Sequence, residues 1–236
     1  MKSITNYKSI IMIACSVFIL SGCEEYETIT KSFQTDSFQS ITNNTFANVH
    51  LTQSSSQTIE ITAPANILKN IRLEVEDNTL TIDNRRLFDY SIGKVDIYIN
   101  IPKLQTFKIE GSGNMEMKNL FDSCSNINLQ INGSGNINAS LHSNSETSIS
   151  INGSGNISIN GYTNSEKIKI SGSGNVNAFN FNSKTSNTSI SGSGNCNIYV
   201  DSVLNANISG SGNIRYKGTP QINTNISGSG NIWATN

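Results

Sequence analysis

Apolar and polar residues alternate along most of this chain, and over its second half the alternation recurs with a fixed punctuation. Seven times an isoleucine stands two residues before the tetrapeptide Gly-Ser-Gly-Asn. Ile109, Ile131, Ile151, Ile170, Ile190, Ile208 and Ile226 precede copies that begin at Gly111, Gly133, Gly153, Gly172, Gly192, Gly210 and Gly228. After each Asn comes an apolar residue, in most copies a polar one, and then an apolar one, as in Ile157-Ser158-Ile159 and Ile214-Arg215-Tyr216. Upstream of the tetrapeptides, Ile127-Asn128-Leu129-Gln130-Ile131 and Lys167-Ile168-Lys169-Ile170 alternate as well. A period of two marks a strand with one buried face, so strands run into and out of every tetrapeptide.

Successive tetrapeptides begin 22, 20, 19, 20, 18 and 18 residues apart. A unit this short cannot bury its own apolar face and needs a neighbour above and below, which is the logic of a solenoid. The expected fold is all-β: a single-stranded parallel β-helix, a right-handed β-solenoid with irregular capping coils at its N-terminal end. With strands stacked about 4.8 Å apart, the seven copies make a rod segment of about 30 Å. Isoleucines stack inside it. Asn114, Asn136, Asn156, Asn175, Asn195, Asn213 and Asn231 fall above one another, and their amides can satisfy one another along the axis. The glycines serve either a corner that needs positive φ or a crowded position where only a hydrogen fits.

Other glycine-rich repeats fit less well. A hexapeptide helix has 18-residue coils, but only the last two steps keep that register. A calcium-binding roll needs an aspartate in each turn, and a phosphate loop needs Gly-Lys-Ser or Gly-Lys-Thr before a helix. These tetrapeptides have neither, which makes their glycines structural.

Residues 38–110 lack the tetrapeptide but carry strand-like runs at 49–51, 58–61, 71–75, 80–82 and 95–101. Glu76-Asp77-Asn78 is a hairpin turn between two of them, and Pro64 to Lys69 form one helical turn whose Ile67 and Leu68 cover the end of the sheet. An open β edge invites pairing with other chains, so this region is read as irregular first coils plus a cap, continuous with the regular coils of 111–236.

At the other end, Lys2 and Lys8 precede an apolar run over residues 10–20 and then Leu20-Ser21-Gly22-Cys23. These are the parts of a secretory signal, here residues 1–22. The ending resembles the bacterial lipobox, which implies lipidation of Cys23 and, with two or more acyl chains, stable attachment to the outer membrane. Residues 23–37, opening with the acidic Glu24-Glu25-Tyr26-Glu27 after the cysteine, read as a polar tether. The acidic cluster itself is either a surface-export signal or a solvated spacer.

Removing residues 1–22 takes Lys2 and Lys8 from 16 basic side chains and nothing from 17 acidic ones, for a net charge near −3. Nucleic acid is therefore not an expected partner. Of the remaining cysteines, Cys124 and Cys196 are either a disulfide or two separate thiols, with Cys196 at an apolar strand position.

Candidate chemistry is sparse. Glu146 and Glu166 precede their tetrapeptides by similar distances, which would put two carboxylates one coil apart for acid–base work, although both stand in Ser/Asn-rich stretches that read as exposed turns. His50 and His142 lack a metal-ligand companion at short spacing. Arg215 and Trp233 share one outward position on the last two coils, so a guanidinium can lie over the indole. Trp233 then serves either as a cap on the open end or, with flanking Asn and Ser, as a sugar platform.

The order of motifs gives a family resemblance. Phe46-Ala47-Asn48-Val49-His50-Leu51, the paired strands at 71–82, Gly93-Lys94-Val95-Asp96-Ile97-Tyr98-Ile99 and Ile101-Pro102-Lys103-Leu104 lead into the recurring Gly-Ser-Gly-Asn array. This resembles the autotransporter-adhesin head GIN domain family over residues 38–236. The resemblance implies a parallel β-helix and an adhesin role, with no catalytic residues and no cofactor to carry over. The expected function is a lipid-anchored envelope module binding glycan or an envelope or matrix protein. A self-associating structural rod is the alternative, and a polysaccharide-active enzyme a more distant one.

Overall fold

The computed structural model describes residues 27–84 and 93–235; the signal segment and Cys23 lie outside the described residues. The strands before the first tetrapeptide are β1 (Thr28–Phe33), β2 (Ser40–Asn43), β3 (Asn48–Gln53), β4 (Thr58–Pro64), β5 (Ile71–Glu76), β6 (Thr79–Asn84), β7 (Asp96–Ile101) and β8 (Thr106–Ile109), with the short helix α1 (Ala65–Leu68) after β4. The tetrapeptide array follows as β9 (Met115–Met117), β10 (Phe121–Cys124), β11 (Ile127–Ile131), β12 (Asn136–Gly153), β13 (Asn156–Gly172), β14 (Asn175–Gly192), β15 (Asn195–Gly210), β16 (Asn213–Lys217), β17 (Gln221–Gly228) and β18 (Ile232–Ala234).

These strands stack in parallel as a β-solenoid with two ladders, one on each side of every tetrapeptide. The isoleucine ladder runs β6, β2, β8, β11, then through the later halves of β12 to β15, and ends on β17. The second ladder runs β7, β3, β9, then through the earlier halves of β12 to β15, and ends on β16 and β18. Ile131, Ile151, Ile170, Ile190 and Ile208 are paired rung to rung, and all are buried in one continuous apolar column.

Both readings of the glycines hold, one for each glycine. Gly172, first of its tetrapeptide, has φ +126°, and a Cβ there would run into the carbonyl oxygen of Gly153 on the coil before. Gly174, the second, needs no left-handed backbone but leaves no space: a Cβ would press on the Gly155 carbonyl and on Ile151 Cγ2. From the third copy on, at Gly153, Gly172, Gly192, Gly210 and Gly228, the first glycine turns the corner at positive φ, while the second lets coils approach.

The asparagine ladder is continuous. From Asn136 to Asn213, Nδ2 of each residue donates to Oδ1 of the one before, at 2.8 Å from Asn136 to Asn114 and 3.1 Å from Asn213 to Asn195, with the intervening rungs in the same range. At the last copy the expected rung is replaced: the Asn231 backbone N–H donates to Asn213 Oδ1 at 3.2 Å, while its Nδ2 donates to Ser229 O. The ladder also extends one coil before the seven tetrapeptides, because Asn114 donates to Asn48 at 3.1 Å. Strand register places Thr45-Phe46-Ala47-Asn48 over Gly111-Ser112-Gly113-Asn114, so this segment is an eighth, degenerate copy. Buried Asn43 takes the isoleucine position, donating to Ala47 O and accepting from Thr45 N and Oγ1, which knits a corner that lacks glycine.

The N-terminal cap differs from simple irregular coils in two respects. Its layers are out of chain order, with β2 and β3 sandwiched between the β6–β7 coil and the β8–β9 coil. It is also finished by antiparallel strands: β5 pairs with β6 through the turn at Asp77 and Asn78, both of positive φ, while β4 pairs with β7 and β1 with β4. Ile67 and Leu68 of α1 are buried, as the apolar pattern indicated. The span 23–37, read as a tether, contains β1. Ile29 and Phe33 pack against the core from its inward face, and Lys31 between them breaks the apolar alternation that would have revealed the strand.

Candidate binding face

The outward positions of the second ladder form one stripe along the rod. Register carries it from Glu60 through Tyr98, His50, Glu116, Asn138, Ser158, Asn177, Asn197 and Arg215 to Trp233. Eight strand spacings separate Tyr98 from Trp233, about 38 Å. Both end aromatics are exposed, Tyr98 at 45% and Trp233 at 43%. Between them, from Asn138 to Asn197, the stripe is short polar side chains beside the asparagine ladder, with His50 and Glu116 before them and Arg215 after. Glu116, Asn138 and Ser158 line a shallow groove with that ladder. A single outward phase in a two-residue period produces this stripe; no loop is needed to assemble it.

Charge is concentrated at its N-terminal end. His50 stacks on Tyr98 with ring centroids 4.8 Å apart, and its Nε2 lies 3.0 Å from Asp96 Oδ1. Lys94 Nζ is 2.9 Å from the other Asp96 oxygen. Partial burial raises the Asp96 pKa, but hydrogen bonds from His50, Lys94 and Asn48 outweigh that and hold the carboxyl below its ordinary value. His142 repeats the motif on a neighbouring outward row, stacked on Tyr162 at 4.3 Å with Nδ1 3.3 Å from Asp122. Among the described residues no three His, Cys, Asp or Glu side chains are grouped to hold a metal ion.

At the C-terminal end, Arg215 and Trp233 are register partners, but the guanidinium does not lie over the indole. Arg215 Nε donates to Asn197 Oδ1 at 2.9 Å, and its Cζ sits 5.7 Å from the centroid of Phe179, two coils back. Lys217 Nζ lies 5.1 Å from the same ring. Phe179 is reachable because β14 bulges against β15: Ala178 pairs with Ile198 and Asn182 already with Tyr199, so residues 179–181 have no partner on β15, although Asn180 and Phe181 still pair with Asn160 and Gly161 of β13. Phe181 turns inward and is fully buried, while Phe179 stays outside. The drop in tetrapeptide spacing from 20 to 18 residues at this coil is the sequence signal for the overhang.

The acid pair is not assembled. Glu146 is in register with Ser165 and Glu166 with Thr147, so the two carboxylates point to opposite sides of the wall. Glu146 is exposed; Glu166 is fully enclosed. The turn-like Ser/Thr composition around Glu166 reflects a polar patch inside the solenoid, with Thr147, Thr163, Ser183 and Ser186 buried as well. Burial pushes the Glu166 carboxyl up to about 8, only partly offset by the nearby Ser186 and Ser183 hydroxyls. Cys124 and Cys196 are separate, buried thiols.

The family model described as "Putative auto-transporter adhesin, head GIN domain" matches residues 37–220. The chain belongs to the head GIN domain family. Solved structures give this head GIN chain the same fold. It is 26% identical to a "putative adhesin" of Bacteroides fragilis, with a TM-score of 0.82 over 89% of this chain and 98% of that one. It is 25% identical to a "putative adhesin" of Parabacteroides merdae, with a TM-score of 0.71 over 89% and 96%. A "putative lipid binding protein" of Parabacteroides distasonis, 24% identical, has a TM-score of 0.73 over 89% and 97%. No curated protein matches the chain. The head GIN family relation points to the cell envelope or surface, and among the described residues no helix is long and apolar enough to cross a membrane.

Proposed function

We propose that the protein is a non-catalytic, adhesin-like binding module, lipid-anchored through Cys23 to the outer membrane. Its ligand is glycan or an envelope or matrix protein, and the outward stripe of the second ladder is its contact face. The observation that carries this reading is the stripe itself, a row about 38 Å long whose middle, Asn138 to Asn197, is uncharged amides and a hydroxyl. It is flanked by His50 and Glu116 on one side and the Arg215–Phe179–Lys217 cluster on the other, with exposed Tyr98 and Trp233 beyond them. Exposed rings offer stacking surfaces for sugar, and each ladder asparagine keeps one amide hydrogen for a ligand. The family's adhesin description supports the same class.

Protease treatment of intact cells and a glycan and matrix-protein binding screen test the proposal together. A surface adhesin is digested on intact cells, and its binding drops at least tenfold in Trp233→Ala or Arg215→Ala with the fold retained, a loss of about 1.4 kcal/mol. Full protection from protease together with no ligand in the screen overturns it.

A further inference from the structure

The two poles of the rod are finished differently. At the N-terminal pole the free edges belong to β1 and β5, antiparallel strands that carry Lys31, Arg72, Glu74 and Glu76, and α1 packs against β4. Charge on an edge strand is a standard defence against pairing with another chain. The C-terminal pole lacks it. Among the described residues β17 pairs only with β15 and β18 only with β16, so each leaves one edge open. Residues 218–235 contain no Lys, Arg, Asp or Glu, and β17 itself has no Pro.

The apolar column also stops uncovered at this pole. Ile226 stands on the same ladder as Ile190 and Ile208, which are 1% and 2% exposed, yet it is 43% exposed itself. Trp233 does not close the end, because it occupies the outward row beside Arg215 and leaves Ile226 open. The asparagine row on this ladder reaches its last rung here too: Asn223 donates back to Asn205 at 2.9 Å.

We propose that the occupant of this pole is a second copy of the chain, docked C-terminal coil to C-terminal coil about a twofold axis, with β17 pairing antiparallel with β17 of the other copy. The surface is self-complementary in the way an isologous contact requires: two uncharged edges supply each other's backbone partners, and each Ile226 is covered. The charged, antiparallel opposite pole limits the assembly to two chains, since head-to-tail stacking would bring a bare edge onto β1 and β5. This inference stands on the open edge alone and is independent of the ligand-binding reading.

The test is the mass of the purified full chain by light scattering, for wild type, Ile226→Lys and Thr30→Lys. Twice the chain mass is expected for wild type and for Thr30→Lys at the far pole, and the single-chain mass for Ile226→Lys with its circular dichroism unchanged. Hydrogen exchange of the wild-type β17 amides gives a readout that needs no variant, slowing as protein concentration rises while β13 amides do not change. A wild-type mass of one chain with concentration-independent β17 exchange overturns the proposal, and so do assemblies that grow beyond two chains.

Discussion

Glu166 is the register partner of Thr147 inside the solenoid, both side chains wholly enclosed, and neither Glu166 oxygen has a well-formed hydrogen bond. The Cys196 thiol is buried in the same wall, its pKa raised by burial and further by the Glu166 carboxyl. A carboxyl so placed is folded as the neutral acid, and stability must depend on pH.

The sign follows from linkage. The folded pKa of about 8 lies above the ordinary 4.5, so between these values the folded state holds a proton that the unfolded state has lost. Glu166 therefore favours folding most below pH 4.5, and its contribution falls, by up to about 1.4 kcal/mol per pH unit, as pH rises toward 8. Urea unfolding at pH 5, 6.5 and 8 should show wild type losing stability relative to Glu166→Gln across this window. Parallel pH profiles for the two proteins would contradict the enclosed acid.

The spine of the repeat is glycine and not asparagine. Gly172→Ala combines a positive φ with a collision on the Gly153 carbonyl and should cost on the order of 3 kcal/mol. Asn156→Ala removes one exposed rung whose partners water can satisfy, and should cost about 1 kcal/mol or less. Denaturant midpoints of the two variants rank them directly.

Restoring the consensus at the degenerate first corner should destabilise. Asn43→Ile supplies the residue found at this position in all seven later copies, but leaves the Ala47 carbonyl and the Thr45 N–H and hydroxyl without their partner in a buried corner. A loss of about 2 kcal/mol is expected in thermal or urea unfolding.

Both remaining thiols should be silent in the native protein. Burial and then the nearby Asp122 charge push the Cys124 thiol up to about 11, and burial holds the Cys196 thiol well above its ordinary value. Iodoacetamide at pH 8 should label neither until denaturant is added, which mass spectrometry of the intact chain reads out.

The rod, its repeat and its asparagine row were legible because identical residues recur at identical phases, and a stack brings identical phases together. What stayed hidden depends on exceptions to that rule. Thr45-Phe46-Ala47-Asn48 lost its glycines and is recognisable only by register. The strand at Thr28–Phe33 has a lysine in its apolar phase. Glu166 sits among Ser and Thr that suggest a surface turn, although here they line an interior. Arg215 meets Phe179 across two coils because residues 179–181 of β14 are skipped in its pairing with β15, and a contact set by a bulge has no fixed spacing along the chain.

The displaced layer in the cap also dictates an order of events in time. β2 and β3 have no parallel neighbour on either face until residues 79–117 exist, because β6 and β7 cover one side and β8 and β9 the other. Coils of the array, by contrast, form strand pairs only with the coils next to them in the chain. During synthesis the first half of the chain must therefore wait and close as a unit across long loops, the slow step, after which each tetrapeptide adds a coil to a finished template.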